Sequence, residues 1–172
     1  MSTLAADNRS RAVRLAVFDV DGVFTDGRIW ISDDGVESKA FCVQDGYGIK
    51  ALLEAGIAVA VISGRASEAV RIRMAELGVP HLFQRVTDKV ATFDRLAAEL
   101  EVEPEQCVYT GDDVPDLPLL RRVGFAVAVA NAVDEVKAAC DYVTRAPGGS
   151  GAVREVCELI LRGGAVRPNA RA

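Results

Sequence analysis

The chain repeats one pattern over most of its length: short, continuous apolar runs separated by stretches with helical spacing. The first run, Leu15-Ala16-Val17-Phe18, lies within "VRLAVFD"; "IAVAVIS" (57–63), "CVYTGD" (107–112) and "FAVAVA" (125–130) follow. Helical stretches are expected over 46–55, 68–77, 90–100, 115–123, 133–139 and 151–161. Strands without alternation, joined by amphipathic helices, predict a parallel sheet covered on both faces, a doubly wound α/β fold. One segment breaks the pattern. "RIWISDDGVESKAF" (28–41) has two alternating runs about Asp34-Gly35, which predicts a protruding β-hairpin and no large cap domain. No repeat or linker divides the chain, so 13–162 reads as one domain. Residues 1–12 read as a disordered lead-in lacking the apolar core of a signal peptide, and 163–172 as a C-terminal tail.

This topology makes a geometric prediction. Right-handed crossovers place ligands just beyond the carboxyl ends of the strands. Three of the predicted strands end at Asp19, Ser63 and Asp112, which the fold would bring to one rim.

Composition narrows what can bind there. Half of the 172 residues are apolar, a quarter are charged, and the formal net charge is −5. A basic stripe for nucleic acid is missing, and no apolar stretch approaches the roughly 20 residues of a membrane span. An anionic small substrate stays possible, because a metal and a few cations can reverse the sign of one pocket. Cys42, Cys107, Cys140 and Cys157 are widely spread and do not cluster with His81. Buried, reduced thiols in a cytoplasm are expected rather than a zinc site or disulfides.

"FDVDGVFTDG" (18–27) then stands out, with three aspartates directly after a buried strand. Like charges this close are unfavourable unless a cation compensates them. Asp19 and Asp21 could serve as nucleophile and proton-transfer group in attack on phosphorus. An isolated D-x-D-G is also an ordinary turn or cap, and Asp26 reads as the marker of the turn into the hairpin. "GDDVPDLPLL" adds Asp112, Asp113 and Asp116. With Asp19, these suit a hard cation such as Mg²⁺, Asp19 and Asp112 as ligands and Asp116 one helical turn on as support. A helix N-terminus explains one such aspartate but poorly explains three. Ser63, Gly64 and Lys89 offer a hydroxyl, an approachable backbone and an ammonium for a phosphoryl group. Each alone is a plain cap, turn or surface residue.

Taken in order, "DVDGVFTDG", "VISGR", "DK" and "GDDVPDLPLL" resemble the four motifs of the haloacid dehalogenase-like phosphohydrolases, with the likeness running from Val13 to Leu161. The resemblance implies Asp19 as nucleophile and Asp21 as general acid and base. It implies Mg²⁺ held by Asp19, the backbone carbonyl of Asp21, and Asp112, and phosphate held at Ser63 and Lys89. With only a hairpin and single helices between motifs, the chain is similar to the capless branch. "DGYGIKALLEAGIAVAVISGR" and "YVTRAPGGSGAVREVCELIL" narrow the likeness to the 3-deoxy-D-manno-octulosonate 8-phosphate (KDO 8-phosphate) phosphatases.

That family implies a phosphorylated sugar-acid substrate in lipopolysaccharide precursor synthesis. It also implies a homotetramer packed through the hairpins, in which neighbouring chains help close each site. Ile29, Trp30 and Ile31 would otherwise be an aggregation hazard. Two positions depart from the family pattern: Gln44 and Ser150 stand where arginine is common, with Arg65 and Arg154 as possible compensating substrate contacts. Gly64 favours the eight-carbon substrate, since phosphatases for nine-carbon sialic-type acids often carry glutamate there. The competing readings are a nine-carbon or broad-range sugar phosphatase, a phosphoacceptor receiver domain, and a catalytically inactive oligomerisation platform.

Overall fold

The structure, a computed structural model, describes residues 13–163; the expected lead-in and most of the expected tail lie outside the described residues. Six parallel strands form the central sheet: β1 (Leu15–Phe18), β4 (Ala58–Ile62), β5 (His81–Phe83), β6 (Cys107–Gly111), β7 (Phe125–Ala128) and β8 (Tyr142–Val143). Their spatial order is β5-β4-β1-β6-β7-β8. All four β1 residues are shielded from solvent, as expected for a run covered on both faces.

The six helices are α1 (Val43–Glu54), α2 (Glu68–Leu77), α3 (Lys89–Glu99), α4 (Leu117–Leu120), α5 (Asp134–Ala139) and α6 (Ala152–Leu161). Helix α1 packs on α6 and α2, while α4 packs on α3 and α5. Right-handed connections explain this split. The chain runs outward from β1 to β4 and β5, then crosses over and runs the other way through β6, β7 and β8. The direction reverses between β1 and β6, and a crevice is expected at their carboxyl ends. Phe18 pairs with Thr110, so Asp19 leaves β1 level with the start of the Gly111–Asp113 turn.

The hairpin is present but small. Strands β2 (Trp30–Ile31) and β3 (Glu37–Ser38) pair antiparallel, Trp30 opposite Ser38, with Gly35 at φ +80 in the turn. Three details differ from the sequence expectation. Strands β5 and β8 are too short and half-buried to give an apolar run. Helix α1 starts three residues early, at Val43, and Gly48 lets it approach α6: a Cβ there would lie 3.0 Å from that of Cys157. The single helix expected over 115–123 is instead a tight 3₁₀ turn, Val114–Asp116, followed by the four residues of α4. Pro115 and Pro118 suit first-turn positions and cannot donate within a longer helix. Asp116 therefore lies in the turn, not one turn into a helix.

Candidate active site

The β1/β6 crevice gathers the predicted strand-end residues. Asp19 is nearly buried, and its backbone N–H donates to the Thr110 carbonyl across the strand ends, at 3.0 Å. Lys89, the first residue of α3, reaches under it: Nζ lies 2.8 Å from Asp19 Oδ1, 2.7 Å from Asp116 Oδ1 and 3.2 Å from Tyr109 Oη. Tyr109 donates to Asp116 Oδ1 at 2.6 Å. The other Asp116 oxygen accepts from the backbone N–H groups of Asp112 (3.0 Å) and Asp113 (3.3 Å). Asp113 caps the turn by accepting from Val114 N at 2.8 Å.

Both Asp116 oxygens are thus engaged, and this carboxylate acts as a brace that shapes the turn carrying Asp112. One carboxylate oxygen from each of Asp19, Asp112 and Asp116 lies within 4.8 Å of the others. Burial pushes the Asp19 carboxyl up to about 6, with Lys89 pulling it back and Asp116 adding to the rise. Burial pushes Asp112 up further, to about 8, with the charges of Asp19, Asp116 and Asp113 reinforcing it. A carboxylate pair this crowded and this buried fits a hard dication, with Asp19 and Asp112 left to ligate it while Asp116 is held by protein donors. Backbone geometry leaves room for this. Gly22 sits at φ +89, and a Cβ there would lie 2.0 Å from Asp112 Oδ2.

The first loop is braced from behind. Thr25 Oγ1 accepts from Gly22 N (3.3 Å) and Gly27 N (3.2 Å). Asn131 donates to the Gly22 carbonyl at 3.3 Å and accepts from Gly148 N at 2.6 Å. Gly148 is needed there, since its Cβ would come within 1.7 Å of the Gly22 oxygen. Asp26 accepts from Arg28 N at 2.9 Å, the turn role expected of it.

Ser63 is buried just after β4, its Oγ accepting from Arg65 N at 3.2 Å. Gly64 has open surroundings: an added Cβ would meet only the Val86 carbonyl, at 3.7 Å. Packing therefore does not demand glycine at 64. Asp21 turns away from Lys89 and toward the hairpin, where Lys39 donates to its Oδ1. Arg65 lies beside the same carboxylate, with Nε 3.6 Å from Oδ2. Arg154 does something else. Its guanidinium stacks 4.4 Å over the Tyr47 ring and pairs with Glu158 at 2.7 Å, on the α1/α6 face. Gln44 is exposed on the first turn of α1, with Oε1 3.8 Å from the Cβ position of Gly151, the residue after Ser150.

Three contributors are absent from the sequence expectation: Tyr109, Lys39 and Glu37. Tyr109 carried a faint signal, as a phenol inside an otherwise apolar strand beside the acidic turn. Lys39 and Glu37 carried none, since a charged hairpin strand is the usual solvated edge.

Comparison with known proteins bears on this geometry. Residues 77–155 match the family model for haloacid dehalogenase-like hydrolases. The KDO 8-phosphate phosphatase KdsC of Escherichia coli strain K12 is 46% identical over 153 residues, spanning 89% of this chain and 81% of that protein. The chain belongs to the KDO 8-phosphate phosphatase family. Among solved structures of this family, the Yersinia pestis enzyme superposes with a TM-score of 0.88 at 46% identity, covering 90% of this chain and 84% of that one. The Moraxella catarrhalis phosphatase, solved with magnesium, phosphate and KDO, superposes with a TM-score of 0.87 at 44% identity, covering 90% and 89%. The capless doubly wound fold is thus the family's fold. Among the described residues no helix is long and apolar enough to cross a membrane.

Proposed function

We infer that this chain hydrolyses KDO 8-phosphate to KDO and inorganic phosphate, a step in lipopolysaccharide precursor synthesis. It is a Mg²⁺-dependent phosphatase of the haloacid dehalogenase-like hydrolases. The observation that carries the reading is the meeting of Asp19, Asp112 and Asp116 at the β1/β6 crevice, with Lys89 bound to Asp19 and Asp116.

Asp19 is the nucleophile. Lys89 holds its Oδ1, so the other oxygen is the one presented to phosphorus. Attack forms an Asp19 O–P bond and breaks the bond from phosphorus to the sugar oxygen, and Asp21 supplies the proton that oxygen takes. Asp21 then accepts a proton from water as the water attacks the acyl phosphate, which frees phosphate and restores Asp19. Ser63, the Gly64 backbone and Lys89 hold the phosphoryl oxygens. Asp19, Asp112 and the Asp21 carbonyl would hold Mg²⁺, which when bound would supply positive charge to the phosphoryl group. Asp113 and Asp116 keep the ligand-bearing turn in shape. Arg65 is the arginine placed to reach substrate beside Asp21, whereas Arg154 belongs to the α1/α6 packing.

The exposed hairpin supports a homotetramer: Trp30 and Ile31 are 62% and 69% exposed in the single chain, and Val36 is 56% exposed. The thiols of Cys42, Cys107 and Cys157, two of them buried, support a reducing cytoplasm. The deciding experiment is phosphate release from KDO 8-phosphate and from a nine-carbon sugar acid 9-phosphate, each with and without Mg²⁺. Preference for the eight-carbon ester, abolished by chelation, is expected. Equal rates on a panel of phosphosugars would sink the narrow assignment.

A further inference from the structure

Asp21 sits inside a closed ring of alternating charge that the catalytic scheme above does not use. Lys39, directly after β3 of the hairpin, donates to Asp21 Oδ1, and its side chain is fully shielded from solvent. Arg65, from the turn after β4, approaches Asp21 Oδ2 at 3.6 Å. Glu37 closes the ring, 3.4 Å from Lys39 Nζ and 2.8 Å from Arg65 Nη2.

We propose that Lys39 is a positioning residue, which with Glu37 and Arg65 fixes the Asp21 carboxylate in the orientation that delivers a proton to the departing sugar oxygen. The proposal rests on the reading of Asp21 as general acid. A carboxylate two residues past a strand end would otherwise turn about its own side-chain bonds. Here each of its oxygens faces a cation from a different segment. Between the two chemical steps, when Asp21 is ionised and before it takes a proton back from water, two acids and two bases leave the ring neutral, which offsets the desolvation of a fully shielded ammonium. Exposed ion pairs contribute little, but the shielding of Lys39 places this pair outside that class. The ring also ties the acid to the phosphate end, because the backbone N–H of Arg65 donates to Ser63 Oγ. A proton donor misplaced by about 1 Å can slow a reaction by about two orders of magnitude.

The alternative is that the ring only fastens the hairpin, and leaving-group dependence separates the two. A primary sugar alkoxide needs a proton to leave, whereas p-nitrophenolate does not. The kcat/KM value reports the steps through that departure. In the full-length enzyme with saturating Mg²⁺, Lys39→Met should lower kcat/KM for KDO 8-phosphate about 10²-fold. For p-nitrophenyl phosphate the loss should stay below about threefold, with Lys39→Arg restoring most of the difference. Asp21→Asn, run in parallel, should show the same split. Uniform loss in Lys39→Met beside a split in Asp21→Asn overturns the positioning role alone. Uniform loss in Asp21→Asn overturns the acid reading and the proposal with it. Should Lys39→Met fail to fold, Glu37→Gln opens the ring without removing the cation. A split of the same sign and smaller size supports the proposal, and uniform rates overturn it.

Discussion

The two aspartates of the first loop, only two residues apart, are held by different kinds of structure. Asp19 rests on Lys89, Asp116 and Tyr109, which belong to the sheet, to a helix packed on it and to a turn that continues a core strand. Asp21 rests on Lys39, Glu37 and Arg65, two of them from a hairpin whose apolar side chains lie open. The first cluster forms wherever the domain folds. The second depends on where a two-strand ribbon lies, and an isolated ribbon of that size is marginal in water. The Asp19 cluster is therefore a product of the core, while the setting of Asp21 depends on a peripheral element.

That contrast can be broken at several points. The largest effect is expected from Asp19→Asn, which should cut steady-state phosphate release by at least ~10³-fold. Its melting temperature should hold or rise in chelator, since a buried charge has been removed. Activity within tenfold of the parent would remove Asp19 from the chemistry. Lys89→Met should come next. It leaves Asp19 and Asp116 facing each other without their shared cation, and breaking a buried pair from one side costs about 3–5 kcal/mol. Denaturant titration measures this, and a loss within 1 kcal/mol would show that the core cluster does not need its lysine.

A pH series probes the same cluster without mutation. Asp19 and Asp112 hold their protons to higher pH in the folded chain, to about 6 and about 8, than in the unfolded one. The folded state then binds more protons across the window from about 4 to 8, so its stability falls as pH rises through it. Thermal melts in chelator should show lower values at pH 8 than at pH 5. Mg²⁺ should raise the melt more at pH 8, because the ligands bind it deprotonated. A flat profile in chelator would argue against this crowding, and Asp112→Asn should remove the slope above about pH 6 while leaving the Asp19 part below it.

Tyr109→Phe removes one hydrogen bond from a buried carboxylate that keeps its lysine, and about 1–2 kcal/mol of stability should be lost. The smallest effect on the fold belongs to the hairpin. Trp30→Glu changes an exposed side chain, so single-chain stability should move by less than about 0.5 kcal/mol. The particle mass measured by light scattering should fall if hairpins join the subunits. An unchanged mass would place the assembly elsewhere.

Much of this molecule was legible in its order of residues. β1, β4, β6 and β7 are continuous apolar runs because both faces of the sheet are covered, and Asp19, Ser63 and Asp112 were found because they end such runs. The edge strands β5 and β8 were not, since a few half-buried residues carry no periodicity. The 115–123 segment reads as one helix because spacing does not show where prolines divide a turn from a helix. Lys39 carries no signal in the sequence because its partner Asp21 lies 18 residues away and the two meet only in space.

By itself, then, the sequence determined the wound sheet, the rim where its chemistry gathers and the family whose motifs it carries. These follow from local apolar pattern and from the fixed handedness of the chain. Tertiary structure decided which oxygens are engaged: both of Asp116 as a brace, one of Asp19 on Lys89, and those of Asp21 inside a ring of charge. Hydrogen bonds across 70 residues, as between Lys89 and Asp19, depend on distances in space, and those arise only once the core has packed.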